Sequence, residues 1–146
     1  HLWASDEQAF ESPHIHLERA LNLPHTIAKP HPPVLIAGDG EKRTLPLVAR
    51  YGDACNIKPG PEIPQRLARL RELCEQEGRD YDAIEKTCPW FFDPGANGEK
   101  VPQLIEQMHQ FAEMGIQTVF GRVVGDHTLE PIERMGRDVI PAIAGF

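Results

Sequence analysis

Apolar residues along this chain follow two alternating periods. Short apolar runs closed by glycine, proline or asparagine are each followed by a longer stretch whose apolar positions recur about every 3.6 residues. Val34 to Ala37 is the first run, and the stretch after it, from about Leu45 to Tyr51, reads as a helix. Ala54 to Ile57 is a second, short strand. Pro61 to Glu77 is a second helix, with Ile63, Leu67, Leu70 and Cys74 on one stripe and Gly78 as its stop. Ile84 to Cys88 reads as the third strand, ended by Pro89, which cannot donate to a central ladder. Glu99 to Met114 places Val101, Leu104, Ile105, Met108 and Phe111 at helical spacing, and Gly115 caps it. Ile116 to Val123 is the fourth strand, and a closing helix from near Pro131 buries Ile132, Met135, Val139, Ile140 and Ile143. Four βα units in series predict an α/β fold, a parallel sheet covered by helices.

Residues 1–32 follow a different pattern. Phe10 to Leu17, with a turn at Ser12 and Pro13, suggests a small hairpin, and Pro24 to Pro33 holds four prolines without helical period, so it is a connecting loop. The βα array then occupies 33–146. His14 and His16 stand two apart on the presumed hairpin, as a zinc pair can. No third ligand follows in sequence, and a solvated hairpin is the simpler reading.

The stretch PPVLIAGDGEKRTLPLVARYGDACN, from Pro32 to Asn56, carries the most chemistry. A strand, a Gly-x-Gly loop and a helix in that order place several backbone N–H groups just past the carboxyl end of a strand, where an anion can be held. Gly38 and Gly40 permit positive φ and close approach of a ligand to the backbone. Thr44 is a candidate N-cap, and Pro46 in the first turn forfeits an N–H that has no helical partner. Lys42 and Arg43 add positive charge, while Asp39 and Glu41 oppose it, so their side chains are expected to face solvent and their amides to face inward. An ordinary βα turn needs the same glycines for geometry alone, and a Gly-x-Gly loop by itself does not separate the two readings.

Composition narrows the classes. At 146 residues and 40% hydrophobic, the chain has the size of one domain with a sizeable core. A net charge of −7 with no basic block argues against nucleic acid as partner. No apolar run reaches about 18 residues, so no membrane span is predicted. Cys55, Cys74 and Cys88 show no C-x-x-C spacing, which suits reduced thiols in a cytoplasmic protein. Cys55 and Cys88 sit in or beside strands and read as small core residues with no adjacent His to activate them. The first residue is His1, which suggests part of a longer polypeptide. No G-x-S-x-G or P-loop signature supports a hydrolase or a nucleotide triphosphatase.

The run PHPPVLIAGDGEKRTLPLVARYGDACN, the preceding FESPHIHLERALNLP, the GRDYDAIEKT after the second helix and the ending MGRDVIPAIA together resemble the carboxyl-terminal half of the luciferase-like monooxygenase family. Within it they most resemble the branch that uses the deazaflavin coenzyme F420. The resemblance covers nearly the whole chain. It implies a (β/α)8 TIM barrel of which this chain holds about strands five to eight, with 1–32 as an insertion ahead of strand five. It also implies that Gly38, Asp39, Gly40 and Glu41 hold the cofactor's phosphate through backbone amides, which favours the cradle over the plain turn. Asp39 departs from the small or uncharged residue the family more often carries there.

The family's ring platform and most of its catalytic contacts come from the first four strands, so no catalytic residue is assigned on this chain. The implied activity is hydride transfer with a deazaflavin, or flavin-dependent oxygenation if FMN is the cofactor, on a small-molecule substrate. The implied partner is the missing amino-terminal half-barrel or a second copy of the chain. A non-catalytic half-barrel that binds FMN or another phosphorylated ligand, or only itself, is the alternative.

Three further positions belong to the same reading. Arg122, at the carboxyl end of the fourth strand, can clamp the same phosphate or pair with Asp126 at the surface. Asn56 ends a strand on that face, as a ring contact or as a turn former. Trp90, Phe91 and Phe92 line an apolar pocket or, more simply, pack the core at the strand end.

Overall fold

The computed structural model of the chain describes residues 2–4, 7–125 and 128–145. Backbone contacts divide it into two units, meeting at Val34 and Leu35. In the first, a 3-10 turn at Leu2–Ala4 precedes an antiparallel hairpin of β1 (Phe10–Glu11) and β2 (His16–Leu17). The Ser12 hydroxyl accepts the N–H groups of His14 and Ile15, which turns the chain over. His14 lies in that turn and His16 bonds to Glu11 across the hairpin, so the two rings do not form a pair. No group of three His, Cys, Asp or Glu side chains converges among the described residues. The other described residues of this unit, including the Pro-rich stretch, form no regular element.

The second unit is a parallel sheet in which spatial order equals chain order: β3 (Leu35–Ala37), β4 (Ala54–Asn56), β5 (Glu85–Phe92) and β6 (Thr118–Val123). Helices α1 (Thr44–Tyr51), α2 (Ile63–Glu77) and α3 (Val101–Glu113) connect them. Each helix lays its apolar stripe on the same face of the sheet. Leu45 and Val48 of α1, the predicted stripe Ile63, Leu67, Leu70 and Cys74 of α2, and Met108 and Phe111 of α3 pack on Cys55, Ile57, Ile84 and Cys88. Trp90 meets Phe111 edge to face at 5.1 Å, which makes it a core residue.

Gly78 closes α2 in the left-handed region at φ +66°, and the N–H of Arg79 reaches back to the Cys74 carbonyl at 2.9 Å. A Cβ at Gly78 meets nothing within 4 Å, so its cost is conformational only. Gly78→Ala is expected to lower unfolding stability by about 1 kcal/mol, readable as a shift in the urea midpoint at constant slope.

Three expectations change. Pro89 does not end the third strand, which runs on to Phe92. The reason is the side to which its nitrogen points. In a parallel strand a residue directs both its N and its O to one neighbour, and Thr87, two residues earlier, uses its carbonyl for the Ile57 N–H on the β4 side. Pro89 therefore lacks a donor only where β4 has already ended at Asn56.

The closing helix is not uniform either. It runs as α4 (Glu130–Arg134), a π turn over Met135–Val139 and α5 (Ile140–Ile143). Pro141 has no N–H for the carbonyl one α turn back, and the Ile140 N–H bonds to Met135, five residues earlier. Met135 and Val139 are buried as expected, but Ile132 and Ile140 are each 57% exposed. They overhang β6, which has no further strand beside it among the described residues. Together with Met135, Val119 and Phe92 they border an apolar groove of about 790 Å³ on the helix side of the sheet.

Lastly, Thr44 is not the N-cap of α1. It is the first helical residue, Arg43 precedes the helix, and no side chain caps it. The carbonyl of Gly40 takes the first N–H groups instead, from Arg43 (3.3 Å), Thr44 (2.9 Å) and Leu45 (3.1 Å).

The sheet's second face is exposed in part: Thr87 and Ala54 on it are buried, and large apolar residues toward its ends are not. Strand alternation and register place Leu35, Asn56, Thr87, Phe91, Phe120 and Arg122 on it. Leu35 is 47%, Phe91 67% and Phe120 42% exposed, although all are large apolar residues. A parallel sheet is ordinarily covered on both faces.

Candidate functional site

The carboxyl ends of the strands meet at one rim, and the Gly38 to Arg43 loop leaves β3 there. Gly38 sits at φ +116°, outside the range of L side chains, and turns the chain sharply off the strand. Its own N–H donates to the Asn56 carbonyl at 2.9 Å, extending the β3–β4 ladder by one bond. Thr44 lies beneath the loop: a Cβ at Gly38 would press on its Cγ2 at 3.2 Å, and one at Gly40 on its Oγ1 at 3.2 Å. Gly38 is required by its φ, whereas Gly40 does not take the positive φ expected of it, and a side chain there needs only a small shift of Thr44.

This geometry narrows the predicted cradle. Gly38 is committed to the sheet, and the N–H groups of Arg43 and Thr44 to the Gly40 carbonyl. The N–H groups of Asp39, Gly40, Glu41 and Lys42 have no protein acceptor among the described residues. Four successive amides without a protein acceptor ahead of a helix are free to donate to an anion. Lys42, Arg43 and Glu41 are exposed beside them.

Asp39 departs from expectation. Its carboxylate does not face solvent; it pairs with Arg66 in the first turn of α2 at 3.0 Å. Arg66 Nη1 also donates to the Lys58 carbonyl at 3.2 Å, and Nη2 lies 3.9 Å from Glu62. Sequence reasoning missed both Arg66 and Lys58. The available signal was position: Lys58 follows a strand on this rim, and Arg66 borders the apolar stripe of the helix that starts there.

Asn56 is a strand residue, not a turn former. Its carbonyl serves Gly38, and its side-chain oxygen lies 3.1 Å from the Thr87 hydroxyl, which is buried and also reaches the Cys55 carbonyl at 2.8 Å. Arg122 is not brought to the loop. It stands on β6 at the far edge of the sheet, three strand spacings from β3, or about 14 Å at ~4.8 Å per strand. Its guanidinium lies 5.4 Å from the Phe91 ring centre. Asp126, the alternative partner for Arg122, lies outside the described residues. Of the aromatic run, Trp90 and Phe92 pack inward and Phe91 is exposed on the sheet's second face.

The thiols are inert in this setting. Cys55, Cys74 and Cys88 are buried and free, and burial pushes Cys88 up to about 11. An unfolded thiol ionises near pH 8.5, so the folded state holds the proton more tightly. The resulting stability is fully present below about pH 8.5 and is lost as the pH rises toward 11. We expect the thiol-specific reagent DTNB to leave the native protein unlabelled at pH 8 and to react fully after denaturation; rapid native labelling contradicts this.

Neither the protein-family models nor the curated proteins contain a match to this chain. The solved structures do. A chain described as an F420-dependent secondary alcohol dehydrogenase in complex with an F420-acetone adduct superposes on 97% of this chain, with a TM-score of 0.73 at 16% identity. The two share a fold. This chain spans 58% of the length of that one. No described helix is long and apolar enough to cross a membrane.

Proposed function

We propose that this chain is the cofactor-phosphate-holding half of an F420-dependent oxidoreductase of luciferase-like type, corresponding to about strands five to eight of a (β/α)8 barrel. The observation that carries the reading is the set of four unpaired amides from Asp39 to Lys42 at the carboxyl rim of a parallel sheet. The fold shared with the F420-dependent alcohol dehydrogenase supports it, as do the exposed apolar residues Leu35, Phe91 and Phe120 on the sheet's second face. Four further βα units, from the rest of a longer polypeptide or from a second copy, would cover that face and close the barrel.

In this reading the amides of residues 39–42 hold the phosphate, with Lys42 and Arg43 supplying positive charge beside it. A bound deazaflavin supplies hydride transfer to or from a small-molecule substrate. This chain supplies the anchor and one wall of the pocket, and no acid or base is assigned to it. Separate fluorescence titrations with F420 and with FMN test the reading. F420 is expected to bind with the lower Kd; tight FMN binding with none by F420 overturns the choice of cofactor.

A further inference from the structure

Arg66 is a rim cation whose charge is already engaged. Its side chain is 20% exposed and is held by Asp39, Glu62 and the Lys58 carbonyl, whereas Lys42, Arg43 and Lys58 are exposed. Asp39 therefore does two things at once. It neutralises the nearest enclosed guanidinium, and it fixes a carboxylate at the loop whose amides attract anions. Covalent geometry keeps that carboxylate within about 5 Å of the Asp39 N–H.

We propose that Asp39 tunes this loop by the charge of the phosphate it accepts, lowering its affinity for a dianionic phosphomonoester more than for a monoanionic phosphodiester. The inference rests on the loop being a phosphate holder, as argued above. Attraction by amide dipoles, repulsion by Asp39 and attraction by a released Arg66 all scale with the ligand's charge. A second negative charge about 7 Å from the carboxylate weakens binding by roughly threefold at the dielectric of water, and by more where the protein excludes water. It also raises the cost of removing the ligand from water. F420 carries its phosphate as a diester and FMN as a monoester, so the pair Asp39–Arg66 separates the two by charge.

The test uses the full chain and two simple probes at pH 8.5, dimethyl phosphate (one charge) and methyl phosphate (two charges). Backbone amide resonances of residues 39–42 report binding. In Asp39→Asn, affinity is expected to rise about threefold for dimethyl phosphate and about tenfold for methyl phosphate, because the logarithm of the gain follows the ligand charge. Asp39→Ser should repeat the result if the asparagine variant folds poorly. Arg66→Gln, which leaves the carboxylate unpaired, is expected to weaken the dianion more than the monoanion. Equal gains for both esters, or a loss for both in Asp39→Asn, overturn the selectivity while leaving the loop as a phosphate site. If neither ester moves these amides in any variant, the phosphate reading fails and takes this inference with it.

Discussion

Gly121→Ala is expected to destabilise the four-stranded unit by about 3 kcal/mol or more, the largest stability loss of any single change considered. Gly121 pairs with Trp90 across the β5–β6 ladder. A Cβ there would sit 1.8 Å from the Trp90 carbonyl oxygen and 2.9 Å from its carbonyl carbon. Those are backbone atoms in the middle of a strand and cannot rotate away. The added methyl must instead pry β6 from β5. β6 carries Val123 onto the second core cluster, where Leu104 packs with Met135 and Val139, so the closing helix loosens with it. Urea unfolding measures the effect; a loss under about 1 kcal/mol means that β6 sits differently against β5.

Gly38→Ala is expected to weaken F420 binding at least tenfold, about 1.4 kcal/mol. Alanine at φ +116° is strained by about 1–3 kcal/mol, and its methyl meets Thr44 Cγ2 at 3.2 Å. The loop relieves both by changing its path, which re-aims the amides of residues 39–42 that follow. Gly78→Ala provides the comparison. It loses stability of similar order at the far end of α2, away from the rim, and should bind F420 as the unchanged protein does. Equal losses of affinity in the two variants would show that binding follows global stability and not the loop.

Much of this was legible in the sequence because it depends on local periodicity. The α2 stripe from Ile63 to Cys74, the Gly78 stop and the succession of strands and helices along the chain follow from apolar spacing and from glycine's conformational range. The misreadings share a different cause. Whether Pro89 interrupts a sheet depends on which neighbour its nitrogen faces and how long that neighbour is. The burial of Ile132 and Ile140 depends on what lies beyond β6 and not on the helix itself. Asp39 is polar and sits in a loop, which points to solvent, but a guanidinium from a later helix reaches it. Arg122 and the glycine loop share a rim, yet strand order sets them at opposite edges. Local pattern fixes what each segment is; contacts between segments decide which side chains meet.

The central claim is that the amides of Asp39, Gly40, Glu41 and Lys42 hold a cofactor phosphate. Calorimetric titration of the protein with F420, and with the same deazaflavin stripped of its phosphate and tail, tests it most directly. The account predicts that removing the phosphate weakens binding at least tenfold, and that Gly38→Ala abolishes the difference between the two ligands. Equal affinity for both ligands in the unchanged protein would contradict it.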